Sequence, residues 1–470
     1  MLDMVLIREK PDWVKERLAL LNDPPALARI DAILALDRQR RALLSEAEAL
    51  QAQRNRLNRG VGRLRGDKRL DDARRAALAQ RAAGLIAAGE YEAAAQTLET
   101  QPEAPAAPDA AAAVDALSGA LRALGERVEA LNAQVSAVDA QLEDNMLWVP
   151  NLPHASVPAA PGEEGNIAWP PEGAFYEFAF EPLAHWDLGP ALGIIDFERG
   201  VKLAGTRSYV LVGAGARLQR ALIQFFLDQA RRKGFVEVYL PLMVPAEMMT
   251  GAGQFPKFRD NVYTDPDAGI YMLPTAEVAI TNLHRDEILD EAQLPLYYVG
   301  HTPCFRRERM SAGRDVRGIK RVHQFEKVEM YKFTTPDSSY AELETLTEAA
   351  ADLCRALRIP FRRLEIVTGD LGFSASKKYD IEMYAPGCRE WLEVSSCSNT
   401  EAFQARRANV KYRPAGDGRA QFVHTLNGSG LATPRVLIAI LENYQQADGS
   451  VVVPEALRPY MDGLDVIRGA

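Results

Sequence analysis

Cysteine is scarce and scattered in this chain. The 470 residues hold four, Cys304, Cys354, Cys388 and Cys397, and none forms a Cys-x-x-Cys pair. Histidine is almost as sparse, at six, and no His/Cys spacing matches a metal signature, so free thiols in a reducing compartment and no zinc are expected. Long apolar runs are missing too. Nothing reaches the about 18 residues that a membrane-spanning helix needs, and in the opening MLDMVLIREK both Asp3 and Arg8 interrupt what would have to be a signal core. The expectation is a cytoplasmic chain with no membrane partner. A basic excess is also absent: the formal charge of −9 excludes a globally basic nucleic-acid coat, so anion binding must be sought in local patches.

What is present points to more than one domain. A 47% hydrophobic content over this length supports a large core. Residues 1 to about 25, punctuated by Pro11, Pro24 and Pro25, read as a short leading element that packs on something larger. Then Leu36, Leu43, Leu50 and Leu57 recur at sevens, and Leu117, Leu121, Leu124, Val128, Leu131, Val135, Val138 and Leu142 step by fours and threes. That spacing is a coiled-coil seam, and two such helices in one chain predict an antiparallel hairpin. A helix of about 40 residues would run about 60 Å, the length of an arm. From Arg54 to Arg69 the first helix carries Arg54, Arg56, Arg59, Arg63, Arg65, Lys68 and Arg69 against Asp67 alone, the charge expected of an arm that binds phosphates, whereas a plain dimerisation coiled coil does not require it. The heptads stop between Asp67 and about Ala113. An Ala-rich piece and the low-complexity QPEAPAAPDAAAA follow there, readable as a small helical hairpin or as mobile chain at the arm's tip. Pro150, Pro153, Pro158 and Pro161 then mark a linker. The expected organisation is 1–145, a linker at 146–174, and a second domain at 175–470.

The second domain alternates amphipathic helices with β-like runs, without the regular βαβ rhythm of a parallel sheet, which predicts an α+β fold. A helix from Ala216 to Arg232 leads through Gly234 into FVEVYLPLMVP, read as a strand at an edge or an interface because of Pro241. The densest polar chemistry lies from Phe305 to Phe333. Its first end is read as a strand with Arg306 and Glu308 on one side, and its second places Phe325, Glu329, Tyr331 and Phe333 on one face. Between them lie Arg309, Gly313, Arg314, Arg317, Gly318, Lys320 and Arg321, suited to a triphosphate or an RNA end, although charge runs are as often plain surface. Three more pieces join it as parts of one expected pocket: Thr275–Glu277, Glu393–Ser396, and Asn427–Arg435. In the last, Pro434 suits a first helical turn and the glycines before it allow close backbone approach to a ligand.

In this order the pieces resemble the seryl-tRNA synthetase family of class II aminoacyl-tRNA synthetases. The resemblance covers nearly the whole chain, from the PDWV start through PNLPHASVP and HWDLGPALGIIDFERG to the C-terminus. Residues 216–241 look like motif 1, which implies a homodimer; Phe305–Phe333 looks like motif 2; and Leu426–Tyr444 looks like motif 3, with Arg435 its arginine. The family fold is a mixed, mainly antiparallel sheet flanked by helices, preceded by the coiled-coil arm.

The resemblance implies roles residue by residue. Thr275, Ala276, Glu277, Glu329 and Ser429 would bind serine. Arg306, Arg307, Glu308, Val322, Glu393, Val394, Ser395, Ser396 and Arg435 would contact ATP, with Glu393 and Ser396 holding magnesium and Arg306 and Arg435 catalytic. A carboxylate among aromatics suits an ammonium group, and hard oxygens beside a triphosphate suit that ion. The arm, with Arg54, Arg56, Arg59, Arg63 and Arg65, would read tRNA(Ser), and in the family also tRNA(Sec), by backbone and shape. The chain departs from the family's motif 2 at Arg307, Arg309 and Met310, and in its insertion after Asp67. Two alternatives stay open at this point: a ligase charging a carrier protein, against which the arm argues, and a catalytically dead RNA-binding paralogue, against which Arg306, Glu329, Glu393 and Arg435 argue.

Overall fold

The heptad spacing of the sequence becomes two long helices, Pro24–Gly66 and Ala110–Leu147, in a computed structural model that describes residues 1–103, 109–309, 317–416 and 418–469. On the second helix Leu117, Leu124, Val128, Leu131, Val135 and Val138 are buried, and Leu121 and Leu142 are half-buried. On the first, Leu50 and Leu57 are buried while Leu36 and Leu43 are half-buried, because the buried stripe there runs through Ile30, Ile33, Asp37, Ala47, Leu50, Leu57, Val61 and Leu64. The pair is antiparallel. Arg29 meets Asn145 (3.4 Å), Arg40 meets Asp139 and Glu46 meets Arg127 (2.8 Å), so one number falls as the other rises. Each fully buried leucine of such a seam contributes about 1.5–3 kcal/mol.

The segment after Asp67 carries two further helices, Asp72–Ala87 and Tyr91–Thr100. Asp71 caps the first, accepting from the Arg74 amide. Their alanines, with Leu78, Ile86 and Leu98, join Leu57, Val61 and Leu64 in one apolar cluster. Gly60 sits where a Cβ would lie 2.8 Å from that of Leu98, so the insertion packs directly on the first long helix. Residues 104–108 of the low-complexity piece lie outside the described residues.

Residues Arg29–Met146 form one compact unit and Met1–Ala28 with Leu147–Ala470 the other, so the leading element belongs with the C-terminal part. Asp3 pairs with Arg406 at 2.7 Å, and the Arg17 guanidinium donates to the carbonyls of Pro153 and His154. The proline-rich stretch is held fast: Asn151, buried, donates from Nδ2 to Ser374 O, Ser376 Oγ and Thr400 O.

The larger unit is built on an eight-stranded sheet: β1 (Ile167–Ala168), β2 (Val236–Glu237), β3 (Leu296–Phe305), β4 (Gln324–Thr334), β5 (Phe361–Glu365), β6 (Lys377–Ala385), β7 (Glu390–Asn399) and β8 (His424–Ala432). The spatial order is β1-β5-β6-β7-β8-β4-β3-β2, antiparallel throughout except for the parallel pair β2–β3. This is the mixed, mainly antiparallel sheet expected. The helices Ala214–Arg232, Ser339–Ala356 and Thr433–Asn443 pack on it; in the last every residue except Arg435 is buried.

Two expectations fail locally, and one piece shows an added role. FVEVYLPLMVP is not one strand: Val236–Glu237 edges the main sheet, while Met243–Pro245 pairs in a different one, because Pro241 between them has no amide to donate. Arg306 and Glu308 are not on a strand, since β3 ends at Phe305 and Glu308 has a left-handed φ of 52°. The glycines of GSG serve packing: a Cβ at Gly428 would meet Cys397 Sγ at 3.0 Å, and one at Gly430 would meet Met330 at 3.2 Å.

Candidate active site

Strand alternation on β4 and β8 builds the floor of a cavity of about 460 Å³. On β8, residues 427 and 429 face it while 428 and 430 face the helices behind; on β4, Phe325, Lys327 and Glu329 face it. Thr275 and Glu277 come from the start of the helix Glu277–Thr281, Arg306 and Glu308 from beyond β3, Glu393–Ser396 from β7, and Arg435 from the first turn of Thr433–Asn443.

One end of the cavity is acidic. Glu329 is 1% exposed, and its Oε2 accepts from Thr275 Oγ1 at 2.9 Å and pairs with Lys327 Nζ, which also donates to Thr275 Oγ1 at 2.8 Å. Glu277 Oε1 accepts from Gln404 Nε2 at 2.6 Å and Asn427 Nδ2 at 3.0 Å. Burial, then the nearby Glu329, pushes the Glu277 carboxyl up to about 7, with Lys327 and Arg306 opposing.

The other end is cationic. Arg306 donates from Nε to Pro274 O (3.2 Å), stacks on Phe325 at 5.1 Å, and is fixed through its backbone to His323. Arg435 Nη1 donates to Glu393 O at 2.7 Å and lies 3.6 Å from Glu393 Oε2. Lys320 also lines the cavity, paired with Glu390. An anion can be held by Arg306, Lys320 and Arg435, and an ammonium by Glu277 and Glu329, a few side chains away.

Two family descriptions match the chain: "Seryl-tRNA synthetase N-terminal domain" over residues 1–104, and "tRNA synthetase class II core domain (G, H, P, S and T)" over 261–444. The curated serine–tRNA ligase of Roseiflexus sp. is 53% identical over 468 residues, with 100% of both chains covered, and that of Chloroflexus aurantiacus is 49% identical, with 99% of this chain and 100% of the relative covered. The chain belongs to the seryl-tRNA synthetases. Among solved structures, the seryl-tRNA synthetase from Pyrococcus horikoshii complexed with ATP superposes with a TM-score of 0.85 at 34% identity, covering 100% of each chain. The cytoplasmic serine–tRNA ligase from Naegleria fowleri in complex with AMP gives 0.79 at 27%, covering 100% of this chain and 99% of the other.

Of the residues expected at this synthetase's site, Thr275, Glu277, Arg306, Glu308, Val322, Glu329, Glu393, Val394, Ser395, Ser396, Ser429 and Arg435 line the cavity. Ala276 does not; it is packed in an apolar cluster with Ile280 and Tyr331. Arg307 does not either, its amide bonding Asn261 O at 2.9 Å. Met310, Gly313 and Arg314 lie outside the described residues. The basic loop is partly neutralised by its own chain, with Arg317 on Asp187 at 2.9 Å and stacked on Trp186. Sequence reasoning missed Lys327 and Gln404. Alternation would have found Lys327, which stands midway between Phe325 and Glu329; nothing local marks Gln404.

On the basic helix, Arg56 bonds Glu99 at 2.8 Å and also pairs with Glu92, both from the insertion, and Arg54 lies against Gly125. Arg59, Arg63, Arg65, Lys68 and Arg69 are exposed, Arg69 paired with Asp67.

A buried cluster of His185, Cys388 and Glu442 has metal-like composition. Its bonding is otherwise. His185 Nε2 accepts the Ile319 amide (3.1 Å), so Nδ1 carries the proton and donates it to Glu442 Oε1 (2.9 Å), which also takes the Cys388 thiol (3.0 Å). The network ties the loop between β3 and β4 to the helix Thr433–Asn443.

Proposed function

We propose that this chain joins L-serine to ATP and passes the seryl group to the 3′ end of tRNA(Ser), and of tRNA(Sec) in the same reading. The observation that carries it is the convergence of two carboxylates, Glu277 and Glu329, on the same cavity as Arg306 and Arg435. That arrangement suits a small amino acid held by its ammonium group and a triphosphate held by its charges.

Serine's carboxylate is already ionised at neutral pH and needs no protein base. Its oxygen attacks the α-phosphorus, the bond from that phosphorus to the bridging oxygen breaks, and diphosphate leaves with both electrons. Arg306 holds the α-phosphate and the serine carboxylate in line, and Arg435 grips the γ-phosphate, so the rate rests on alignment and charge stabilisation. A ribose hydroxyl of the tRNA then attacks the acyl carbon, and AMP leaves. Thr275 and Ser429 complete the serine subsite; Glu308, Val322, Val394 and Ser395 line the nucleotide's side.

Class II synthetases use ATP with a divalent metal. Here the donors suit magnesium: Glu393 and Ser396 offer hard oxygens, and Asp380, which faces Ser396 across the strand pair, has a buried Oδ1 with no hydrogen-bond partner among the described residues. Bound there, the ion would neutralise charge on the phosphates.

The exposed Arg59, Arg63 and Arg65 are the proposed tRNA contacts, with Arg54 and Arg56 shaping the helix behind them. Homodimerisation through residues 216–241 is supported by the apolar exposure of Val236 and Tyr239, the latter fully exposed. No helix among the described residues is long and apolar enough to cross a membrane, and a cytoplasmic site of action belongs to the same proposal. ATP–diphosphate exchange across the amino acids, followed by tRNA charging, tests it: exchange with serine alone and serylation of tRNA(Ser) are expected, and exchange without charging would favour a carrier-protein ligase.

A further inference from the structure

Lys327 is an ammonium group buried at the acidic end of the cavity, and none of the roles above uses it. It stands two residues before Glu329 on β4, so both side chains leave the same face of the strand. A bulge in β8 lies opposite them: Lys327 pairs with Ala432 and Glu329 with Ser429, three residues against two. Lysine cannot accept a hydrogen bond, so the proton order is fixed. Lys327 donates to Thr275 Oγ1, and Thr275 donates to Glu329 Oε2. Both contacts to Glu329 fall on Oε2, and Oε1 is used by neither.

We propose that Lys327 is a positioning residue that sets the charge of the serine subsite, its buried ammonium offsetting the two carboxylates Glu277 and Glu329 so that the pocket matches one substrate ammonium. This rests on the serine-binding reading above. Two carboxylates in one buried pocket repel, and without a counter-charge one takes up a proton and can no longer pair with an ammonium. The groups facing Glu277 are Glu329, Lys327 and Tyr331 on β4, Arg306 beyond β3, Asn427 on β8 and Gln404 from the helix Phe403–Ala408. Of these only Lys327 and Arg306 are cations, and Arg306 is assigned to the substrate's own carboxylate and phosphate. Lys327 is therefore the cation left to balance the acids, and its carboxyl-lowering influence on Glu277 has the right sign.

The test is the pH profile of the serine KM in ATP–diphosphate exchange by the full-length protein. Lys327→Met should raise the serine KM about tenfold or more at pH 7, a deficit that shrinks by pH 9 as the acids ionise, with the ATP KM little changed. Lys327→Arg should restore most of the affinity and the wild-type profile. A serine KM raised equally at both pH values, serine and ATP KM rising together, or no change would each overturn the proposal. If Lys327→Met does not fold, Lys327→Gln is read the same way. If neither neutral variant folds, Lys327→Arg decides, since a raised serine KM despite the retained charge also overturns it. Absence of serine-dependent exchange in the wild type would instead sink the functional reading itself.

Discussion

The Arg435 guanidinium donates to the backbone carbonyl of Glu393 at 2.7 Å while its charge sits 3.6 Å from the Glu393 carboxylate. One contact fixes the arginine's direction, and the other keeps a carboxylate beside it, the one proposed above to help hold magnesium. The first turn of Thr433–Asn443 and the strand β7 are thereby locked together at the cationic end of the cavity.

Arg306 is held by the Pro274 carbonyl and the Phe325 ring, contacts that leave its charge available to an anion in the cavity. Arg306→Ala should therefore lower serine-dependent ATP–diphosphate exchange by about 10²–10³-fold, the cost of losing one preorganised donor. Exchange retained near the wild-type rate would remove this residue from the mechanism.

The helical unit begins and ends at neighbouring points, since Arg29 reaches Asn145. Replacing Arg29–Met146 with a short Gly-Ser linker should spare adenylate formation and abolish tRNA charging. Milder changes should separate the arginines: Arg59→Glu with Arg63→Glu should raise the tRNA KM and flatten its salt dependence, whereas Arg56→Ala should act mainly on the stability of the insertion.

Glu277 titrates at about 7 in the folded chain, above an ordinary carboxyl. A raised carboxyl pKa means that the folded state binds the proton more tightly, so this group's favourable contribution is complete below the unfolded pKa and is lost as pH rises from about 4.5 to 7. Glu277→Gln should show a higher urea midpoint relative to wild type at pH 8 than at pH 5. A constant difference across that window would show that Glu277 does not titrate there.

A Cβ at Gly428 would lie 3.0 Å from Cys397 Sγ and 3.1 Å from Leu346 Cγ, so both buried neighbours would have to shift. Gly428→Ala should cost about 1–3 kcal/mol through overpacking, read as a lower melting temperature, with serine and ATP KM values preserved in the folded fraction because residue 428 faces away from the cavity.

The second coiled-coil helix was legible because its seam is apolar almost throughout. The first was legible only in part: Asp37 occupies a buried seam position, which breaks the period that a hydrophobic count detects. Phe325, Glu329, Tyr331 and Phe333 were correctly placed on one face, yet Lys327 among them passed unnoticed because a cation interrupts the pattern. The packing role of the GSG glycines was not legible for a long-range reason, since the atoms crowding a Cβ there come from β4, β7 and the helix Ser339–Ala356. The broken strand after Gly234 was signalled by Pro241, whose effect on continuity outweighed the β-branched residues around it.

The hydrogen-bond network at Glu442 has a practical side. Cys304, Cys354 and Cys397 are buried, and all four thiols are pushed up by burial; Cys388, the one half-exposed, donates a hydrogen bond to Glu442 and is further raised by that carboxylate. Slow thiolate formation means slow reaction with maleimides and iodoacetamides. A single cysteine introduced at an exposed position away from the basic stretch, such as Glu129, would then outpace the native four, so a fluorescent reporter can be attached for following tRNA capture without first building a cysteine-free background.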